Sequence, residues 1–344
     1  MVTPKNVLVG GGTGFVGGAL VQLLKSRGHT PLIAARKFPD IKENSEWNMI
    51  SWEEIAKKGI PKNTHAVINL AGATIGDPKK RWTNQYKKEV WTSRILTTNL
   101  LREKICEAKE KPEVFISTSA VGFYAPSDTA VYDENSPGSS DKSDFFALLC
   151  RNWEAHAELP ADLGVRQAVV RLGLVLGRPG GVVQNSILPF YMGAGGPLGD
   201  GRQPFPWIHL EDAVGIYCHA LECGDVHGPL NAVAPQQINN AEFAKAFGRA
   251  LRRPALIPMP EFAIKIIFGA ERAKIMLTGQ KVLPKRTLES GYGFLYDNID
   301  DACKEFARLS LTLSEKRRPQ SSGPPRSSEI WMEKSLRGIK DKIY

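Results

Sequence analysis

The stretch Val7-Leu-Val-Gly-Gly-Gly-Thr-Gly-Phe-Val-Gly17 decides the fold of this 344-residue chain. A short apolar run suited to a buried strand passes at once into a glycine turn. Val16, Leu20, Leu23 and Leu24 then recur at helical spacing. Gly11, Gly14 and Gly17 stand at GxxGxxG spacing, and Gly12, Gly14 and Gly17 satisfy GxGxxG. Glycines at such positions let the chain turn sharply out of the strand, let backbone approach a pyrophosphate, and let the helix pack on the sheet. Strand, turn and helix in this order predict a dinucleotide site, with phosphates at the amides of the helix start. The candidate cofactor-binding residues here are Gly11, Thr13, Gly14, Phe15, Val16 and Gly17.

Working outward, Thr30 to Ala35, Ala66 to Gly72, Val114 to Ser119 and Gln167 to Leu172 read as further strands. Helical stretches lie between them, notably Asn84 to Glu107 and Phe145 to Leu159. Continuous apolar runs are what strands covered on both faces require, so alternating strand and helix imply an α/β, doubly wound parallel sheet of the Rossmann type. Beyond Leu172 the pattern loosens into glycine- and proline-rich loops at Gly177 to Gly181 and Gly193 to Pro206. A helix over Glu211 to Glu222, a strand over Leu230 to Val233, and helices over Asn240 to Leu251 and Pro260 to Leu277 follow. The expected organisation is a nucleotide-binding core over 1–172, a smaller, mostly helical substrate-side region over 173–309 that adds a later sheet strand, and a basic, largely disordered tail over 310–344. Ile330, Trp331, Leu336, Ile339 and Ile343 give the tail the spacing of a short basic amphipathic helix. It reads as solvated, or as docking on a protein or membrane surface.

Composition is that of a soluble globular protein, 42% apolar and 24% charged. No apolar run approaches the roughly twenty residues that cross a bilayer, and a strand beginning at Val7 leaves no room for a leader of the usual kind. Five scattered cysteines without CxxC spacing suit reduced thiols. Cys218, His219 and Cys223 read as packing residues, and no metal site is expected. Of the net charge of +9, the segment 314–344 holds eight basic and four acidic residues. The remaining mild excess suits a phosphate-rich cofactor, and nucleic acid is not an expected partner.

The second strand ends Ala34-Ala35-Arg36-Lys37. An NAD enzyme places a carboxylate there for the ribose 2′-hydroxyl, whereas Arg36 and Lys37 suit a 2′-phosphate. NADP(H) is the expected cofactor.

These features, with Asn69-Leu-Ala-Gly72, Ser117-Thr-Ser-Ala-Val-Gly-Phe-Tyr124 and Asp133-Glu-Asn-Ser-Pro137, resemble an extended short-chain dehydrogenase/reductase of the nucleotide-sugar epimerase type. Lys80-Arg-Trp82, Ser93-Arg-Ile-Leu-Thr-Thr98, Arg171-Leu-Gly-Leu-Val-Leu-Gly177 and Pro206-Trp-Ile-His-Leu-Glu-Asp212 are similar to an atypical epimerase-family branch of the NAD-dependent epimerase/dehydratase superfamily. The resemblance runs from about Val7 to Phe306 and leaves out the tail. It implies a Rossmann fold, NADP(H), and an oxidoreductase or epimerase activity of unassigned substrate. It also implies cofactor contacts at Leu70, Ala71, Gly72 and Arg94, and an address in the mitochondrial matrix or the cytosol.

The superfamily's usual proton-transfer machinery is a Tyr-xxx-Lys pair. Counting back from Trp153-Glu154, the tyrosine position falls on Phe146 and the lysine position on Cys150, and neither side chain substitutes. Ser119 or Thr118 suits the residue that orients a substrate oxygen. Tyr124, Lys87, Lys88 or His209 then becomes the alternative acid, with Ser119 and Tyr124 the catalytic candidates. Two functions follow: an NADP(H)-dependent oxidoreductase or epimerase with a displaced acid, or a catalytically silent NADP(H)-binding scaffold or sensor within a larger assembly joined through the tail.

Overall fold

The computed structural model describes residues 3–36, 48–77 and 80–307. Lys37 and the tail lie outside the described residues.

Strands β1 (Asn6–Gly10), β2 (Thr30–Ala35), β3 (Asn48–Ser51), β4 (Ala66–Asn69), β5 (Val114–Ala120), β7 (Arg166–Leu172) and β10 (Gly228–Ala232) form one sheet in the order β10-β7-β5-β4-β1-β2-β3. Every pair in it is parallel. The period-two alternation of a strand explains the unbroken apolar runs. Val7, Val9, Ile33, Ile68, Ile116 and Val170 face one layer, where α1 (Phe15–Ser26) packs against α6 (Leu210–Glu222). Leu8, Ala34, Val67 and Phe115 face the other, with Ile55 of α2 (Trp52–Lys58) and Leu101 and Ile105 of α3 (Asn84–Glu107). The helix α4 (Phe145–Ala157) lies beside α3. This is the doubly wound Rossmann architecture read from the sequence.

Several helix starts are set by local chemistry. Thr83 accepts from the Tyr86 amide to open α3, Asp144 accepts from Phe146 and Ala147 to open α4, and Asn239 with Glu242 forms a capping box on α7 (Asn240–Leu251).

A second core gathers α5 (Gly181–Tyr191), α7 and α11 (Ile299–Phe306) around Trp207, Phe243, Phe247 and Phe306. Short parallel pairs, β8 (Leu174–Gly177) with β9 (Trp207–His209) and β6 (Val131–Tyr132) with β11 (Lys281–Val282), stitch the two parts together. The short helix α10 (Lys285–Glu289) follows β11.

Three differences from the sequence reading have physical reasons. Residues 181–191 form a helix although glycine opens it and Pro189 lies inside its last turn. The single helix expected over Pro260 to Leu277 is two, α8 (Glu261–Phe268) and α9 (Ala270–Leu277), because Gly269 between them has φ +81°. The pair β3 and α2 fills 48–58, where too few residues carry a periodic pattern.

Candidate dinucleotide site

The strand order reverses at β1, so β2 departs to one side and β4 to the other, and a crevice opens beyond their carboxyl ends. Glycine is obligatory in its floor. A Cβ on Gly11, which has φ +77°, would sit 2.7 Å from the Leu70 carbonyl, and one on Gly17 would sit 2.1 Å from the Gly11 carbonyl oxygen. The first turn of α1 has no side-chain cap, because Gly14 is its N-cap, and no acidic residue. Its amides are open to an anion, in contrast with the capped starts of α3, α4 and α7. Thr13 and Gly14 are exposed, Val16 is half-buried, and the half-buried Phe15 ring packs on Gly180 at the start of α5. Arg36 is exposed at the carboxyl end of β2, on the same edge of the sheet.

The turn after β4 is held by its own residues. Asn69 Oδ1 accepts from the Ala71 amide at 3.1 Å, Asn69 Nδ2 donates to Thr98 Oγ1 at 2.9 Å, and the Leu70 amide donates to Gly10. Arg94, from α3, lies directly against exposed Gly72, and a Cβ there would be 2.9 Å from its Cζ. This guanidinium is 8% exposed, donates Nη1 to the Val90 carbonyl, and leaves Nε without a partner. Burial lowers its ordinary value to about 10, with the Cys150 thiol and the Tyr86 hydroxyl opposing. It therefore stays charged at neutral pH, and no carboxylate pairs with it among the described residues. A buried unpaired charge is costly, which fits a site awaiting an anion or a ring of oxygen acceptors.

At the end of β5, Ser117 and Ser119 are 1% exposed and both hydroxyls lack hydrogen-bond partners. Between them Thr118 points to the opposite face and bonds the Tyr217 hydroxyl at 2.6 Å. Cys150 lies against this strand end. Burial pushes its thiol up to about 12, the Glu154 carboxylate adds to the rise, and Arg94, the Ala120 amide and Ser119 oppose it. The Ser119 hydroxyl faces the Cys150 sulfur, where a donated hydrogen would favour the thiolate, but makes no hydrogen bond of standard geometry. Phe146 is stacked on Trp82, 5.5 Å between ring centroids. At positions 146 and 150, α4 therefore presents a phenyl ring and a buried, neutral thiol.

The alternative acids are dispersed. Tyr124 is fully buried, accepts from Arg171 Nη1 at 2.8 Å and donates to Asn231 at 2.9 Å. Burial raises its hydroxyl above the ordinary value, with Arg171 opposing. In the fold its hydroxyl bridges Arg171 of β7 and Asn231 of β10. Lys87 pairs with Glu271 at 2.5 Å, and His209 caps α6 through the Glu211 amide and meets Glu305 at 3.3 Å. Cys218 is buried and Cys223 Sγ sits 3.4 Å from His219 Nδ1, as packing residues do.

The site also has parts that the sequence did not announce. Glu271 of α9 accepts from Trp82 Nε1 at 2.8 Å. Arg272 donates to the carbonyls of Ile75, Asp77 and Lys80, tying α9 to the loop beyond β4. Only Ser117 carried a legible signal, two residues before Ser119 and so on the same face.

A parallel sheet with an uncapped glycine turn at its switch point, flanked by a helical region that clamps the neighbouring loop, defines a nucleotide-binding protein of the Rossmann class. The chain belongs to the NAD dependent epimerase/dehydratase family, whose model matches residues 7–232. A domain of unknown function, DUF1731, matches residues 259–306. Epimerase family protein SDR39U1 of Bos taurus is 48% identical over 301 residues, covering 87% of this chain and 98% of that protein. Its Arabidopsis thaliana homolog, described as chloroplastic, is 39% identical over 314 residues, covering 87% and 85%. The crystal structure of human epimerase family protein SDR39U1 (isoform 2) with NADPH has a TM-score of 0.83 at 48% identity, covering 88% of this chain and 99% of that one. No helix of the described residues is long and apolar enough to cross a membrane.

Proposed function

We propose that the chain binds NADP(H) in the β1/β4 crevice and acts as an NADP(H)-dependent oxidoreductase or epimerase on a small molecule, without the usual tyrosine and lysine. The observation that carries this reading is the juxtaposition of open α1 amides with Arg94, a buried cation whose Nε has no partner. The NADPH in the human relative's crystal structure supports the same cofactor. In this reading Gly11, Thr13, Gly14, Phe15, Val16 and Gly17 cradle the diphosphate, and Arg36 with Lys37 takes the 2′-phosphate. Leu70, Ala71 and Gly72 line the crevice, and Arg94 holds the ribose nearer the reacting ring. Bound NADPH supplies the hydride. Ser119, with its free hydroxyl at the end of β5, orients the substrate oxygen and stabilises charge developing on it.

A second reading, an NADP(H)-loaded scaffold or sensor, is favoured by Phe146 and Cys150 and by the burial of Tyr124. Stereospecifically deuterated NADPH separates the two. Label transfer to a carbonyl or nucleotide-sugar acceptor, abolished by Ser119→Ala, supports the enzyme. No transfer, with co-purification in a stoichiometric assembly, supports the scaffold. For the cofactor, calorimetry on Arg36→Asp should show a much larger loss for NADPH than for NADH, and equal losses refute the 2′-phosphate role. All five cysteines are free thiols, which supports a reducing compartment such as the cytosol or the mitochondrial matrix.

A further inference from the structure

The outer surface of the C-terminal region is unusually apolar. On α8 only Ile264 is buried, while Phe262 is 67% and Ile266 79% exposed, and Ile267 is exposed beside them. Leu256 is 80% exposed in the segment leading to α8, and Leu188 and Met192 stand exposed one turn apart at the end of α5. Chain continuity and backbone bonding place these segments side by side, with α8 following directly on residues 252–259. The Ile257 amide donates to Gly195, the Met259 amide to Pro197, and Arg253 Nε to the Tyr191 carbonyl, so residues 252–259 run alongside the chain that leaves α5. Those bonds satisfy the backbone, and the side chains are what gain by leaving water. Soluble monomers scatter such residues singly, and a contiguous set marks a docking surface.

Charge selects the occupant. Residues 181–199 contain no acidic or basic side chain, and residues 252–268 contain Arg252, Arg253 and Lys265 against Glu261 alone, itself 2.5 Å from Lys265. An apolar face with a positive rim complements anionic headgroups over hydrocarbon. A second copy would oppose a face with an excess of cations to the same excess, with Glu261 already paired to Lys265 and Asp200 at its edge the carboxylates nearest to answer them. Residues 314–344, outside the described residues, add eight basic side chains against four acidic ones, together with Trp331, Leu336, Ile339 and Ile343. Stable but reversible attachment takes two signals of this sort. We propose that the face built by the end of α5, residues 252–259 and α8 docks on the surface of an anionic lipid bilayer.

The test is co-sedimentation of the full chain with phosphatidylcholine vesicles and with vesicles that also contain phosphatidylserine. Binding is expected only with phosphatidylserine and should weaken with salt. The variant Phe262→Glu with Ile266→Glu should bind about tenfold or more weakly with an unchanged unfolding temperature, since both side chains project into solvent. Wild-type binding that the variant retains assigns the attachment to the tail and overturns the proposal. Absence of binding to both vesicles also overturns it. A concentration-dependent dimer in lipid-free buffer that the variant abolishes overturns it in favour of a second copy.

Discussion

Trp82 lies stacked on Phe146, with ring centroids 5.5 Å apart and planes inclined by 20°. Tyr86 and Phe145 meet the same indole edge-on, and the Arg272 guanidinium sits 5.5 Å from its centre. Phe146, where the sequence reading looks for a proton donor, is thus one member of an aromatic cluster. That cluster joins α3, α4 and α9.

Trp82→Ala should cost about 2–3 kcal/mol, because the indole contributes both buried area and paired ring contacts. Trp82→Phe, which keeps the stack but loses the bond to Glu271, should cost about 1 kcal/mol. Urea unfolding measures both, and equal costs would show that the stack contributes nothing.

Arg94→Met should separate folding from binding. Arg94 has no carboxylate partner among the described residues but lies 5.1 Å from the Trp153 ring centre and donates to Val90, so its removal should change the stability of the unliganded protein by no more than about 1 kcal/mol, whereas the rise in Tm on adding NADPH should largely disappear. Thermal unfolding with and without the coenzyme reads both. A destabilised variant that keeps its NADPH response would show that Arg94 is structural.

Cys150→Lys, which restores the missing ammonium, should not restore the missing machinery. Cys150 is 4% exposed and lies in the opposed fields of Arg94 and of Glu154, itself paired with Arg171, so the cost is set mainly by burial of the new ammonium and should be about 3 kcal/mol. Combining it with Arg94→Met should recover part of that loss, a non-additivity of about 1 kcal/mol or more. Additive losses would show that the two positions do not share one electrostatic site.

Asp212, fully buried at the start of α6, accepts from the Leu295 and Tyr296 amides and the Tyr292 hydroxyl. Burial raises its carboxyl from 3.8 to about 6, with these donors and His209 opposing. A folded value above the unfolded one means that the group's contribution is complete below about pH 4 and is lost as the pH rises through about 6. Asp212→Asn should therefore be more damaging at about pH 5 than at about pH 8, by on the order of 2 kcal/mol. Denaturant titrations at the two pH values check this, and a larger cost at the higher pH would reverse the assignment.

Much of the architecture was legible because it is encoded locally. Thr83 and Asn239 cap the helices that the periodicity predicted, and Gly11, Gly14 and Gly17 report a turn that admits nothing larger. The glycine turn of the candidate site was legible because backbone alone makes it. Tyr124 sits in a glycine- and serine-rich segment of a kind that commonly lines a cleft, but Arg171 on β7 and Asn231 on β10 draw it inward, and neither partner is near in sequence. The isolation of Arg94 is likewise a property of burial. Nothing along a long helix rich in charged residues distinguishes its guanidinium from half-buried neighbours such as Arg102, bonded to the Glu158 carbonyl, or Lys104, paired with Glu107. Gly269 was legible as a residue yet not as a break, since the apolar spacing continues across it.

That single glycine gives the pair α8 and α9 two mechanical duties. On one side of it α8 turns most of its side chains outward, and on the other α9 holds three carbonyls of the segment after β4 through Arg272, and Trp82 and Lys87 through Glu271. A load applied at α8 therefore passes through one glycine swivel to the chain between β4 and α3 without crossing the sheet.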